Sequence, residues 1–223
     1  RGDDPFEMGQ IINVGTEKII EVLVAGDGHT CALLKDGNAK CWGKNNHGQL
    51  GYGDTQDRGD NPHEMGDNLA TVDVGPGKTI KELVAGGSHT CARLNDGKTK
   101  CWGLGSAGQL GYGDKNSRGD EPGEMGDKLP NIDLGKCNGK SSSIIQIAAG
   151  GYHTCALLED GNAKCWGHGY YGQLGYGDQN SRGDEPGEMG DQLLPIILGK
   201  YTTERKLDGS CTTEGKHDDT SSI

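Results

Sequence analysis

The sequence predicts an all-β protein built from repeated four-stranded antiparallel blades of the β-propeller type. The first observation is that the stretch Cys31–Gly53 recurs twice, beginning again at Cys91, 60 residues on, and at Cys155, 64 residues further. The second is that each unit carries four short apolar segments separated by glycine-rich turns. The third is a cysteine pair at one constant spacing in every unit. Repetition at such a period indicates an array of similar units that share one quasi-continuous core.

The units are marked by an Arg-Gly-Asp loop, which begins at Arg1, Arg58, Arg118 and Arg182. These loops divide the chain into repeats over residues 1–57, 58–117 and 118–181, and a partial repeat with an irregular tail over residues 182–223. A short apolar segment after each loop is a predicted strand: Ile11–Val14, Ala70–Val74, Asn131–Leu134 and Leu194–Leu198. The division predicts about three complete blades, with split half-blades at both ends.

The central hairpin of each unit can be placed in register from its turn. The loop Lys35-Asp36-Gly37 lies midway between Cys31 and Cys41, and its glycine can adopt the left-handed conformation that closes such a loop. The two cysteines then lie opposite each other in the antiparallel pair, within disulfide distance. The predicted hairpin disulfides are Cys31–Cys41, Cys91–Cys101 and Cys155–Cys165. Elimination pairs the remaining two, Cys137 and Cys211.

Composition and charge restrict the class of protein and its partners. Only 31% of the residues are hydrophobic, so no large conventional core is available, and the 41 glycines recur at fixed repeat positions. The net charge of −11 disfavours nucleic acid and anionic membrane surfaces as partners. No apolar run approaches transmembrane length, so membrane insertion is not expected. Eight cysteines, six of them in pairs 10 residues apart, predict an extracellular or secretory compartment.

The repeat resembles that of a known family. Its His-Thr-Cys-Ala strand, its Asp-Gly turn and its Trp-Gly and Gly-Gln-Leu-Gly segments resemble the repeat of the regulator of chromosome condensation (RCC1) family, over roughly residues 16–178. The cysteines beside the Thr and the Trp look like the alpha-tubulin-suppressor-like branch, in a disulfide-containing extracellular form. The resemblance implies a propeller of four-stranded blades, usually seven. Three hypotheses remain for the missing blades: a fragment of a longer propeller, a ring completed by neighbouring chains, or an open head-to-tail polymer.

Two residue triplets are predicted to pack the blades together: Trp42, Trp102 and Trp166, with His29, His89 and His153. Each Trp is expected between adjacent blades, and each His is expected to bond the backbone of a neighbouring blade. The alternative for the tryptophans is a ligand-stacking surface. The alternative for the histidines is a metal site, formed by His-x-Cys and the opposing Cys.

Acidic residues recur around the Arg-Gly-Asp loops and raise the hypothesis of Ca²⁺ binding, because Ca²⁺ takes six to eight oxygen ligands. The residues are Asp54, Asp60, Glu64, Asp67, Asp114, Asp120, Glu124, Asp127, Asp178, Asp184, Glu188 and Asp191. Their spacing matches neither an EF-hand loop nor the nonapeptide calcium repeat. The competing interpretation pairs these carboxylates with the arginines of the same loops, Arg58, Arg118 and Arg182. Because the tripeptide recurs with the repeat, an architectural role is favoured over adhesion.

No catalytic motif is present, and every notable residue recurs in each unit, whereas an active site normally needs one asymmetric constellation. We therefore predict a non-enzymatic extracellular module for structure or protein interaction, which associates with itself or forms a subunit of a larger assembly or filament. One alternative is a propeller fragment with a binding face of the protein-inhibitor or lectin type. The other is guanine-nucleotide exchange, a family activity that the acidic charge and paired cysteines disfavour.

Overall fold

The computed structural model describes residues 12–137 and 140–197. These residues form an all-β array of three antiparallel three-stranded sheets, one for each repeat, which we call blades 1, 2 and 3. The all-β prediction is confirmed. Within these residues, none of the helical segments has the length and apolar character needed to span a membrane.

The strands follow one order in every blade, with the central strand paired to both neighbours. Blade 1 consists of β1 (Ile20–Ala25), β2 (His29–Leu34) and β3 (Ala39–Gly43). Blade 2 consists of β4 (Ile80–Ala85), β5 (His89–Leu94) and β6 (Thr99–Gly103). A short hairpin in the insert of the third unit is formed by β7 (Lys136–Cys137) and β8 (Lys140–Ser141). Blade 3 consists of β9 (Ile144–Ala149), β10 (His153–Leu158) and β11 (Ala163–Gly167). Short 3-10 turns span Gly66–Asn68 and Gly126–Lys128.

The hairpin register follows the predicted turn. Gly37 has a φ of 79°, and the Leu34 N–H donates to the Asn38 carbonyl at 2.8 Å to close the loop. This closure places Cys31 directly opposite Cys41. The same residue pairing occurs in the other two hairpins. The three-residue turn of each hairpin therefore determines which two cysteines lie opposite each other and can form the disulfide.

Each sheet has three strands, where the sequence predicted four. Residues 70–74 run beside β3, but the backbone bond between the two segments is that of the Val72 N–H to the Ala39 carbonyl, at 2.9 Å. The Tyr52 hydroxyl takes up neighbouring ladder positions: it accepts from the Cys41 N–H and lies 2.9 Å from the Cys41 carbonyl oxygen. A side-chain hydroxyl thus replaces the strand ladder at the outer edge of the blade.

The apolar core lies between the blades, because alternate residues of each central strand point to opposite sides. We call the side of His29, Cys31 and Leu33 the forward face, since it packs on the following blade. The opposite side, with Thr30 and Ala32, is the backward face. The forward face of blade 1 and the backward face of blade 2 share one buried cluster, and a second cluster joins blades 2 and 3 in the same way.

Candidate interaction site

A chain of side-chain hydrogen bonds joins each blade to the next. His29 Nε2, on the forward face of blade 1, lies 2.9 Å from Thr90 Oγ1 of blade 2. The Thr90 hydroxyl donates to the Gln49 carbonyl at 2.9 Å. Because that bond uses the hydroxyl hydrogen, His29 must donate from Nε2, which leaves its buried Nδ1 without a hydrogen-bond partner. The sequence predicted a backbone partner for this ring, and the structure places a threonine hydroxyl there.

Blades 2 and 3 repeat this contact almost without change. His89 Nε2 lies 2.9 Å from Thr154 Oγ1, which donates to the Gln109 carbonyl at 2.8 Å. Trp166 Nε1 donates to the same carbonyl at 3.0 Å. Trp102 likewise donates to the Gln49 carbonyl at 3.1 Å. Both tryptophans are fully buried between blades, so they are packing residues that also anchor the loop of the preceding unit.

Burial keeps the interblade histidines uncharged at neutral pH. Desolvation lowers the pKa of His29 to about 4. The pKa of His89 falls to about 3 through burial first, with smaller contributions from the charges that His29 and His153 would carry. A neutral ring with its hydrogen on Nε2 satisfies the hydrogen-bond chain, whereas a charged ring would add a buried Nδ1–H without an acceptor.

The backbone of the loops also joins one unit to the next. Gly48, which follows blade 1, packs so closely on the Arg-Gly-Asp loop of blade 2 that an added Cβ would lie 2.4 Å from the Asp120 nitrogen. The Gly53 N–H donates to the Gly119 carbonyl of that loop at 3.1 Å. Gly108 makes the same close approach to the next loop, 2.4 Å from the Asp184 nitrogen. Two of the repeated Arg-Gly-Asp tripeptides are thus contact surfaces between units.

The arginines of these loops pair with residues of the blade that precedes each loop in sequence. Arg58 donates to Asp54 at 2.7 Å, and its guanidinium lies 5.6 Å from the centroid of the Tyr52 ring. The equivalent pairs are Arg118 with Asp114 and Arg182 with Asp178, both at 2.8 Å, stacked on Tyr112 and Tyr176. The guanidinium of Arg182 holds the pKa of Asp178 at about 2. This arrangement is the arginine–carboxylate interpretation of the acidic loops.

The glutamates of the loops accept hydrogen bonds from backbone N–H groups. Glu64 accepts from Gly59 at 2.8 Å and from Asn61 at 3.2 Å, bonds that hold its pKa below the ordinary value. The equivalent bonds are those of Glu124 with Gly119 and of Glu188 with Gly183, both at 2.9 Å. Each carboxylate therefore closes its own loop.

The remaining aspartates lie apart from one another. Asp67 accepts from the Thr16 hydroxyl at 2.6 Å, and Asp191 accepts from the Lys136 N–H at 2.8 Å. Burial raises the pKa of Asp120, while Asp184 pairs with Lys115 at 3.1 Å. The other two predicted residues follow their units: Asp60 accepts from the Asn61 amide, and a carboxylate oxygen of Asp127 lies against Gly75.

Within residues 12–137 and 140–197, no group of three or more His, Cys, Asp or Glu side chains is placed to hold a metal ion. The carboxylates face arginines and backbone N–H groups in separate places, and the histidines bond to threonines. Calcium binding at the acidic loops stays a prediction, and a titration with Ca²⁺ is its test.

The three hairpin disulfides are formed, each with the two Cα atoms 4.1 Å apart. They lie on the forward faces, so Cys31–Cys41 and Cys91–Cys101 are buried under the next blade. Cys155 remains half-buried on the forward face of blade 3, which no other described blade covers. The predicted pairing of Cys137 with Cys211 lies outside the described residues.

Two sets of functional residues escaped the sequence prediction. The first comprises the tyrosines in the outer-edge ladder, whose hydroxyls burial keeps protonated; it raises the pKa of Tyr52 to about 12. The second comprises buried lysines on β3, β6 and β11: Lys40 donates to the Gly66 carbonyl at 2.8 Å, and Lys100 to the Gly126 carbonyl at 2.6 Å. Both sets recur at one position in every unit, and that recurrence was the available signal.

The two ends of the array present these contact groups without partners. At the forward end, His153 is only half-buried, and among the described residues its ring makes no hydrogen bond. At the backward end, within the same residues, neither the Thr30 hydroxyl nor Trp42 Nε1 has a hydrogen-bond partner. An added Cβ at Gly119 would meet the Gly48 carbonyl at 3.1 Å, whereas the nearest atoms to one at Gly59 belong to Met65 and Trp42.

Comparison with known proteins identifies the repeat. Two models of the regulator of chromosome condensation (RCC1) repeat match the chain, one over residues 20–49, 80–109 and 144–173, the other over residues 36–93 and 96–157. The chain is 33% identical to the ultraviolet-B receptor UVR8 of Arabidopsis thaliana, over 80% of this chain and 34% of the receptor. It is 29% identical to the human probable E3 ubiquitin-protein ligase HERC3, over 90% of this chain and 18% of the ligase. It therefore spans about a third or less of the length of these two relatives.

Solved structures give the same fold. Prp20p from Saccharomyces cerevisiae matches with a TM-score of 0.55 and 21% identity, over 82% of this chain and 39% of Prp20p. Human WBSCR16 matches with a TM-score of 0.54 and 18% identity, over 80% of this chain and 40% of that protein. At these identities the likeness concerns the fold alone. Three matched repeats, each folded as a blade, show that the chain belongs to the RCC1 repeat family.

Proposed function

We propose that this chain is a non-enzymatic extracellular module for protein interaction, and that one of its partners is a second copy docked end to end. A single observation carries the proposal: the forward face of blade 3 and the backward face of blade 1, which no other described blade covers, repeat the residues that join the blades inside the chain, and there His153, Thr30 and Trp42 are only half-buried. A chain that contains the same contact twice has two ends of complementary type.

The internal contacts specify how the ends would meet. His153 of one copy would donate to Thr30 of the next, as His29 does to Thr90. The Gln173 carbonyl would then accept from that Thr30 and from Trp42, as the Gln49 carbonyl does from blade 2. Such a contact is heterologous, because it joins two different surfaces of the same molecule. Repetition of it closes a ring or extends a filament.

The loops at both ends support the same arrangement. Inside the chain, the Gly-Gln-Leu-Gly-Tyr-Gly segment of one blade packs on the Arg-Gly-Asp loop of the next. Both sequences recur unchanged in the units at the ends. At the forward end this segment has space around it: a Cβ at Gly177 would meet no atom within 4 Å, whereas one at Gly53 would lie 3.2 Å from the Glu121 carbonyl. The space beside this segment is therefore the place where an Arg-Gly-Asp loop of a second copy would bind.

Protein partners are also what structural relatives are described as binding. Prp20p was characterised for its binding to Gsp1p and histones, and it was also solved with Kap60. Those partners belong to that protein. For this chain they support a protein as the class of partner, while the repeated end faces support a second copy as the particular one.

The extracellular part of the proposal rests on the disulfides. Three hairpin disulfides link residues 10 apart in sequence and lie inside the contact faces. Such bonds persist in oxidising compartments and are reduced in the cytosol. Alkylation of the native protein followed by mass spectrometry tests this. Modification of the hairpin cysteines without prior reduction would contradict an oxidising compartment.

Sedimentation of the purified chain over a range of concentrations tests the end-to-end contact. We expect particles heavier than one chain of 23.5 kDa, with a mass that rises with concentration. Thr30→Lys places a charge on the backward end face and should leave single chains. The matched control Thr71→Lys makes the same change at an exposed position beside β3 and should assemble like the wild type. Single chains of the wild type at every concentration would overturn the proposal.

A further inference from the structure

Blade 3 carries a feature that the other two blades lack. Four aromatic side chains cluster in the loop before β10 and the loop after β11. We call this cluster the aromatic corner, and it consists of Tyr152, His168, Tyr170 and Tyr171. The equivalent residues are Gly28, Lys44, Asn46 and His47 in blade 1, and Ser88, Leu104, Ser106 and Ala107 in blade 2. In a protein built of repeats, such an unrepeated cluster is the asymmetric constellation that a specific site requires.

The rings of the aromatic corner contact one another both edge to face and stacked, with the His168 and Tyr170 planes at 29° and the other pairs at 62–84°. Tyr170 and Tyr171 are edge to face, with centroids 5.1 Å apart and planes at 84°. The His168 ring lies 6.3 Å from the Tyr170 ring and 6.1 Å from the Tyr171 ring. Tyr152, Tyr170 and Tyr171 are 50%, 59% and 82% exposed. Large exposed aromatic groups in one place indicate an interaction surface.

The loop that bears the corner is held in place by one residue. Gln173 accepts from the Tyr171 N–H at 2.8 Å through its side-chain oxygen. Its side-chain nitrogen lies 3.1 Å from His168 Nδ1. The backbone of Tyr171 and the ring of His168 are therefore fixed relative to each other before any ligand arrives, which reduces the entropy lost on binding.

The aromatic corner is not exposed merely because it lies in the last blade. In blade 2, which has a neighbour on both sides, Ser106 is exposed, and Ser88, Leu104 and Ala107 are partly exposed. Adjacent blades therefore leave these positions open to solvent. The corner is a separate surface from the end faces, and it would stay accessible in an end-to-end assembly.

We propose that the aromatic corner binds an arginine or lysine side chain presented by a basic segment of a protein partner. Aromatic faces attract cations, and they attract guanidinium groups most often. The net charge of −11 attracts a basic partner to the chain as a whole. The fold already uses this chemistry, since it stacks arginines on tyrosines three times, with the guanidinium 4.1 to 5.6 Å from the ring centroid. Within the part of the chain that the structure describes, the cation–π pairs involve those three tyrosines, and none involves a ring of the aromatic corner.

A peptide titration tests this proposal. The probe is an alternating Arg-Gly nonapeptide, followed through the aromatic NMR signals of the tyrosines and through the dissociation constant. The variant Tyr170→Ser/Tyr171→Ala introduces the residues that blade 2 carries at these positions, so the fold tolerates them and the net charge is unchanged. We expect this variant to bind about tenfold more weakly, the loss of two exposed cation–π contacts.

Matched controls separate the corner from general electrostatics and from end-to-end assembly. The variant Asn46→Ser/His47→Ala makes the corresponding change in blade 1 and should bind the peptide like the wild type. In the Thr30→Lys variant, in which an end face is blocked, the peptide should shift the Tyr170 and Tyr171 signals to the same extent as in the wild type. Equal affinity of the wild type and Tyr170→Ser/Tyr171→Ala would show attraction by net charge alone and overturn the proposal. Shifts of the corner signals by neutral oligosaccharides but not by the peptide would overturn it too.

Discussion

The threonine between two blades offers the sharpest test of how the blades are joined. Thr90 accepts from His29 and donates to the Gln49 carbonyl, and it is fully buried. Thr90→Val keeps the shape of the side chain and removes both hydrogen bonds. The Gln49 carbonyl still accepts from Trp102, but His29 would be left with neither ring nitrogen bonded.

The cost follows from the groups left unpaired. Each lost hydrogen bond contributes about 0.5–1.5 kcal/mol net, and a buried donor without a partner adds to that loss, so Thr90→Val should destabilise by about 2–3 kcal/mol. For a chain of this size, that corresponds to a fall in Tm of about 4–12 °C. Thermal unfolding followed by circular dichroism measures it, at a dilution where sedimentation shows single chains.

Thr30→Val is the matched control, because Thr30 is the same residue of the repeat in blade 1, where it is half-buried and its hydroxyl bonds no described group. In single chains this variant should have the Tm of the wild type. Thr154→Val, in the second internal contact, should behave like Thr90→Val. Equal losses for Thr30→Val and Thr90→Val would refute the argument, since the effect would then come from the substitution and not from the interblade chain.

Three further predictions concern acid, reduction and metal. Because burial lowers the pKa of His29 to about 4, the unfolded chain binds its proton first, and stability should fall by up to about 3 kcal/mol as the pH drops from 6.5 to 4. Urea unfolding at several pH values checks this, and a His29→Gln variant that keeps the full acid sensitivity would argue against it. Each hairpin disulfide closes a loop with a sequence separation of 10, worth about 2.7 kcal/mol, so reductant should lower the Tm. Reduction should begin at Cys155–Cys165, whose Cys155 is half-buried, and an unchanged melting curve in reductant would contradict a stabilising role of the hairpin disulfides. Calorimetric titration with Ca²⁺ decides the calcium hypothesis, which fails if neither heat nor a change in Tm is observed.

The hairpins were predictable from sequence because their determinants are local. An Asp-Gly turn with a glycine in the left-handed region fixes the register, and the register brings Cys31 to Cys41. The positions of Trp102 and Trp166 between blades were also predictable, because a large side chain that recurs in every unit of a thin core has few other places to pack. Recurrence at a fixed position turned a weak local pattern into a structural prediction.

The contacts that join the units were not predictable in detail, because they depend on atoms far apart in the chain. Apolar alternation indicates that residues 70–74 are extended, but it cannot reveal that the Tyr52 hydroxyl occupies the ladder positions. Likewise, a buried histidine predicts a hydrogen-bond partner without identifying it, and Thr90 is 61 residues from His29. The aromatic corner could not be predicted from recurrence, because its four aromatic residues occur together in one unit.

Mixing two chains that are each blocked at one end tests the central claim most directly. Thr30→Lys blocks the backward face of blade 1, and His153→Lys blocks the forward face of blade 3; two lysines ensure that the blocked faces repel each other. We expect each variant alone to sediment as a single chain of 23.5 kDa, and the mixture to form a complex of twice that mass and no larger species. A mixture that remains at the mass of one chain would contradict the complementarity of the two ends.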